Sequence, residues 1–371
     1  MGCLFLGMTK ALSTLACLIF LLVFQDLPQA GLKDKFKDDF ILGTAVNLAQ
    51  VTGKEPGADS LLNLHFNSIT AENGLKWGPV HPNPGEYRFE FGDAFVALGE
   101  RMGAFIVGHT LVWHQQTPAW VFKNEEGQLL SGKELTLRME DHIEQVVGRY
   151  KGKISGWDVV NEAFEDDGTW RKTHWYNLIG EDFIKKAFEK AHEVDPKAAL
   201  YYNDYNVWKP SKRKAILEMA TKLKNQGIRI DGIGMQGHYR LDSPTLDQIE
   251  QAILDIHAAG FEVHVTELDV EVLPRPGDIE GADLNVNFAE SEQWNPYKNG
   301  FPQEMEQKLV DRYVSIFKLF KKHSDKISRV TLWGLHDGRS WLNNWPARGR
   351  TNYPLLFDRN KVLKQGFMEA F

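Results

Sequence analysis

The sequence predicts an α/β protein folded as a single closed (β/α)8 barrel, and three observations lead there. Eight short apolar runs, at residues 41–46, 68–72, 105–113, 154–161, 199–203, 233–238, 262–268 and 330–336, alternate with amphipathic stretches of helical period. Alternation of this kind gives parallel strands joined by crossover helices, and eight such units can close on themselves. Polar and aromatic residues collect at the C-terminal ends of seven of the eight runs, the end at which barrels of this architecture carry their chemistry. The 371 residues, 43% of them hydrophobic, suffice for one such unit without invoking a second domain.

The elements can be taken in order. The run 41–46 opens the barrel; the second ends in Glu72-Asn73, the third in the segment from His109 to His114, and the fourth in Asn161-Glu162. The fifth leads into Asn203 through Asn206, the sixth ends in Gln236 through His238, the seventh leads into Glu267 through Asp269, and the eighth into Trp333 through Asp337. Helical candidates lie between them at 135–150, 181–194, 212–225, 245–259 and 303–323. Gly227 and Gly260 follow two of these as C-terminal caps, and Asp195-Pro196 stops a third. A stretch rich in Pro, Gly, Asn and Asp, about 274–302, follows the seventh run and is expected to be a loop on the functional face.

Ahead of the barrel, Lys10 precedes an apolar run at 11–24 broken only by Ser13 and Thr14, and 25–30 supplies a cleavage region. This pattern is that of an export signal. The expected organisation is therefore a signal peptide at 1–30 and a catalytic barrel at 31–371, the protein being secreted, periplasmic or on the cell surface. The apolar run is short for a membrane span, so no stable insertion is expected once the leader is removed. Retention of the leader as an anchor, or lipidation at Cys17, stays open. Both cysteines, Cys3 and Cys17, fall in the leader, which excludes disulfides and cysteine chemistry from the mature chain.

A net charge of −7 and the absence of a basic run argue against a nucleic-acid partner, which requires clustered cations against phosphates. A neutral partner fits better. The 11 tryptophans suit stacking on sugar rings, although any single aromatic is more often core. Two carboxylates stand out because each ends an apolar run: Glu162 on the fourth strand and Glu267 on the seventh. One strand-end glutamate reads equally well as a salt-bridge partner. Two facing one cleft are what glycoside hydrolysis needs, one to protonate the leaving oxygen and one to attack the anomeric carbon.

At this point the chain resembles the xylanases of glycoside hydrolase family 10, which are TIM barrels. The resemblance rests on the segments 69–77 (ITAENGLKW), 108–114 (GHTLVWH), 157–163 (WDVVNEA), 203–206 (NDYN), 236–238 (QGH), 265–269 (VTELD) and on Trp333-Gly334 through Ser340-Trp341, and spans nearly the whole mature chain. It implies endo-hydrolysis of β-1,4-xylosidic linkages in xylan and xylo-oligosaccharides with retention of configuration, with Glu162 as general acid/base and Glu267 as nucleophile. It further implies that His238 bonds Glu267 and is held by Asp269, and that Asn161 bonds the sugar 2-hydroxyl. Glu72, Asn73, Lys76, His109, Trp113, Gln116 and Gln236 are expected to hold substrate, with Trp333 and Trp341 as aromatic walls and Tyr205 and Asn206 on the leaving-group side. The bulk of Trp341 is expected to exclude the hydroxymethyl group that distinguishes glucose from xylose. By the period of a strand, Gln236 and His238 share one face, as do Glu267 and Asp269.

Two departures stand out: 339–345 lacks the arginine expected soon after Trp341, and the segment with Trp294 and Tyr297 lies outside the shared motifs. No cofactor or metal is expected, since His109 and His114 are not two apart and the chemistry requires no ion. A related barrel glucanase is the alternative enzyme, separable by rates on xylan and carboxymethyl cellulose. A noncatalytic carbohydrate-binding barrel is the alternative of another class, and its mark would be loss of Glu162 or Glu267.

Overall fold

The chain folds around a ring of parallel strands in a computed structural model that describes residues 30–275, 284, 287–289 and 291–371. The leader expected at 1–30 lies, but for Ala30, outside the described residues, as does part of the 274–302 loop. The strand segments are β1 Ile41–Val46, β2 Ser68–Ala71, β3 Phe105–Val112, β4 Gly156–Asn161, β5 Ala199–Asp204, β6 Gly232–Met235, β7 His238–Arg240, β8 Glu262–Glu271 and β9 Ile327–Leu332. Each pairs in parallel with the next around the ring, β6 and β7 both lie on β8, and β9 pairs with β1 to close it. Nine segments thus make eight staves, as the alternation of runs predicts.

The sixth stave departs from the expectation of one strand at 233–238. It breaks at Gln236-Gly237, where Gly237 has φ +85° and an added Cβ would stand 3.2 Å from Val265 Cγ1. A left-handed step in so close a space requires glycine. The argument that Gln236 and His238 share a face by strand alternation therefore does not hold, although both side chains reach the same cavity. The eighth run is also shorter than its polar tail suggested, since β9 ends at Leu332 and Trp333 lies in the loop beyond it.

The helices follow their apolar period. Gln303–Lys322 buries Leu309, Val310, Tyr313, Ile316, Phe317 and Phe320, a stripe of three- and four-residue steps laid against the barrel. Gly132–Arg149 starts at a reciprocal cap in which Ser131 Oγ accepts from the Glu134 amide and Glu134 accepts from the Ser131 amide. Gly227 and Gly260 end helices in the left-handed region at φ +83° and +79°. The outcome is a closed barrel whose C-terminal rim presents the ends of the staves. Among the described residues no helix is long and apolar enough to cross a membrane.

Candidate active site

A cleft of about 530 Å³ opens at the C-terminal rim, within the range of small-ligand sites. Its walls include Glu72, Asn73, Lys76, His109, Trp113, Gln116, Asn161, Glu162, Gln236, His238, Glu267, Trp333 and Trp341. Asp269 lies behind them, almost wholly buried. Tyr205 and Asn206 are not among the walls: the Tyr205 hydroxyl accepts from Arg171 at 2.6 Å, and Asn206 donates to Asp166 at 3.0 Å.

Glu162 is one residue past the end of β4, with φ +59°. A glutamate in the left-handed region costs conformational energy and persists only where the surroundings fix it. Its carboxyl accepts hydrogen bonds from Trp113 Nε1 at 2.8 Å, Gln236 Nε2 at 2.9 Å and Asn161 Nδ2 at 3.2 Å. All three donors are neutral.

Glu267, by contrast, sits inside β8, where the pairing to β9 shifts register between Val265 and Leu268 and its own amide donates to Gln236 O at 2.7 Å. It accepts from Asn203 Nδ2 at 2.8 Å and lies 3.2 Å from His238 Nε2. The other ring nitrogen of His238 is 3.0 Å from Asp269 Oδ1, and Trp341 Nε1 donates to Asp269 Oδ2 at 2.7 Å. Burial works against a charged imidazole here, but the Asp269 and Glu267 carboxylates outweigh it and push the His238 pKa up to about 10. Burial likewise opposes a charged Glu267, yet the His238 hydrogen bond and the charges of His109, His238 and Lys76 hold its carboxyl below the usual range.

The remaining wall is organised around Lys76. Its ammonium donates to Asn73 Oδ1 at 2.9 Å and stands 4.9 Å from the centre of the Trp113 ring. Burial draws its pKa down against the pull of Glu267, Glu72 and Glu162. Glu72 moves the other way, raised by burial. His109 is fixed by Asp158 at 2.9 Å and meets Trp333 edge-on at 5.3 Å between centres. Among the described residues no cluster of His, Cys, Asp and Glu could hold a metal ion.

Residues 31–370 match the family model described as glycosyl hydrolase family 10. The chain belongs to this family. It is 44% identical over 336 residues, 91% of each chain, to endo-1,4-beta-xylanase A of Xylanibacter ruminicola. To an endo-1,4-beta-xylanase of Geobacillus stearothermophilus it is 41% identical over 343 residues, 91% of this chain and 96% of the other. Among solved structures, a family 10 endoxylanase retrieved from a sugarcane soil metagenome superimposes with a TM-score of 0.89 at 50% identity, covering 92% of this chain and 99% of the other.

Reasoning from sequence missed several groups at the mouth of this family 10 hydrolase. Asn203 donates to both Asn161 Oδ1, at 3.0 Å, and Glu267, and so bridges the strands that carry the two glutamates. Its signal was present, an asparagine at the end of a strand run beside three more polar residues, but a strand-end amide reads equally as a simple β cap. Arg339, Asn344, Trp345 and Arg348 also line the cleft. They come from an irregular segment to which no period assigns a direction. Arg350, two residues further on, turns away and pairs with buried Glu271 at 2.9 Å.

Proposed function

We propose that this family 10 hydrolase cleaves internal β-1,4-xylosidic linkages in xylan with retention of configuration, Glu267 acting as nucleophile and Glu162 as acid/base. The observation that carries the assignment is the contrast between the two carboxyls: Glu267 lies against cationic partners that favour the charge a nucleophile needs, while Glu162 takes only neutral donors in the contacts above. Relatives named as endo-1,4-beta-xylanases support xylan as the substrate.

In the first step a Glu267 oxygen attacks the anomeric carbon. The glycosidic bond breaks, its electron pair goes to the leaving oxygen, and that oxygen takes the proton of Glu162. In the second step the Glu162 carboxylate removes a proton from water, the water oxygen bonds the anomeric carbon from the opposite face, and the ester bond to Glu267 breaks. Two inversions give net retention. In this reading Asn161, which accepts from Asn203, meets the 2-hydroxyl, and His238 and Asp269 keep Glu267 oriented. The leader is read as an export signal removed before the enzyme acts outside the cytoplasm.

Azide separates the two roles. Glu162→Ala acting on an aryl β-xylobioside with an acidic phenol is expected to form the ester on Glu267 and stall, and azide is expected to release it as the β-azide. Glu267→Ala is expected to yield the α-azide if azide rescues it. The readout is the anomeric configuration by NMR; an α-azide from the Glu162 variant exchanges the roles.

A further inference from the structure

Behind Glu162, on the side away from the cleft, lies a buried polar chain that the mechanism above does not use. Lys212 Nζ stands 2.8 Å from Asp204 Oδ1, with both side chains fully buried. The other Asp204 oxygen accepts from the Tyr202 hydroxyl at 2.6 Å. That hydroxyl in turn accepts, at 2.9 Å, the amide of Ala163, the residue directly after Glu162. With its proton committed to Asp204, the tyrosine oxygen is left to act as an acceptor. Burial and the Asp204 charge keep the hydroxyl protonated by raising its pKa.

The same short stretch of main chain is gripped elsewhere. The Glu162 amide donates to Asn203 O at 2.9 Å, the Glu162 carbonyl accepts from Arg171 Nε at 3.1 Å, and the Ala163 carbonyl accepts from the Arg171 amide at 2.9 Å. Four hydrogen bonds thus fix three successive peptide units at and after a residue in the left-handed region. A buried Lys–Asp pair is a poor means of adding stability, because desolvation offsets the attraction, so a geometric duty accounts for it better. Lys212 is also within 3.4 Å of Asp166, which Lys209 and Asn206 hold in place.

We propose that Tyr202, Asp204 and Lys212 form a positioning device that holds the left-handed backbone at Glu162 and thereby aims its carboxyl at the leaving oxygen. None of the three touches substrate in this reading; they act through the peptide after the acid/base. The proposal rests on the assignment of Glu162 as acid/base, so its test carries that assignment as a control.

The probe is Tyr202→Phe, which keeps the ring and removes the acceptor. The measurement is kcat/KM across aryl β-xylobiosides whose phenols run from acidic (2,4-dinitrophenol) to weakly acidic (phenol), beside xylan. A misaimed acid matters only where the leaving oxygen needs a proton. The expected result is a loss of less than about threefold on the dinitrophenyl substrate and of about tenfold to 10²-fold on the phenyl substrate and xylan, steepening the leaving-group slope. A merely structural residue lowers every substrate alike, and a parallel drop, or none, overturns the proposal. Glu162→Ala run alongside should steepen the slope further. If it leaves the slope flat, the acid/base assignment fails and the positioning device falls with it; if it steepens and Tyr202→Phe does not, the device alone fails. Asp204→Asn, which keeps an acceptor for the Tyr202 hydroxyl but removes its charge, reads the same slope with a smaller change and decides the matter should the phenylalanine variant not fold.

Discussion

Glu162 stands one residue beyond its strand, in a left-handed backbone, with Trp113, Gln236 and Asn161 on its carboxyl; Glu267 stands within a ten-residue strand, where the pairing to β9 shifts register between Val265 and Leu268, against His238, Asn203 and the field of Lys76. The first is held through its main chain and touched by neutral groups. The second has an ordinary main chain and is held through its charge. The difference teaches how one cleft can give two chemically identical side chains the separate roles proposed for them. A group that must give a proton and take one back depends on where its oxygen points in both states. A nucleophile depends on staying ionised, which neighbours that favour its charge secure.

The largest break in that comparison is removal of either carboxyl. Glu267→Ala is expected to abolish turnover of xylan and of aryl xylobiosides alike, because no substrate escapes the need for a nucleophile. Glu162→Ala is expected to cost about 10²–10⁴-fold on xylan and much less in the first step on an activated aryl glycoside. Values of kcat/KM, which report the first step even where the second stalls, check this on both substrate classes. Equal losses for both variants on the activated substrate would leave the contrast without functional content.

A subtler break targets the charge that holds Glu267. His238→Gln keeps a donor of similar reach but no positive charge, and is expected to lower kcat/KM about tenfold to 10²-fold, since a hydrogen bond to a charged group contributes about 1.5–3 kcal/mol. The same change has a signature in stability. With its pKa raised from 6.5 to about 10 in the folded protein, His238 contributes stability that is fully present below about pH 6.5 and is lost as pH rises through about 10. Glu267, with its pKa lowered, contributes stability present above its unfolded value and lost as pH falls through the folded one. Melting temperatures of the parent protein should therefore fall between pH 6.5 and 10 more steeply than those of His238→Gln; parallel curves would remove the imidazolium from the account.

Most of the barrel was legible because periods report on burial: each stave is a short apolar run, and each long helix carries an apolar stripe. Glu162 and Glu267 were legible for the same reason, as charges ending apolar runs. What a period cannot report is a break. The step at Gly237 hid inside what reads as one strand, since only the left-handed backbone there reveals it. Nor does a period reach into loops, and so Arg339, Asn344, Trp345 and Arg348 were unassigned although they line the cleft. Asn203 shows a third limit, because its place in the sequence was visible while its two hydrogen bonds, one to adjacent β4 and one past β6 to β8, depend on how the staves are arranged.

The smallest expected effect concerns Trp341, where the sequence reading and the packing give different weights to one side chain. Its bulk was expected to exclude a hydroxymethyl group, and it does face the cleft, 5.0 Å from His238 between ring centres and stacked on Trp345 at 4.9 Å. Its indole N–H is also the donor to Asp269 Oδ2, so it belongs to the chain that ends on Glu267. Trp341→Ala removes both contributions, while Trp341→Phe keeps most of the bulk and removes only the donor. The alanine variant is expected to raise kcat/KM on aryl β-glucosides relative to aryl β-xylosides by up to about tenfold, the scale on which a pocket discriminates one small group, while lowering both absolute values. The phenylalanine variant is expected to lower both without moving their ratio. A ratio unchanged in the alanine variant confines Trp341 to the support of Asp269.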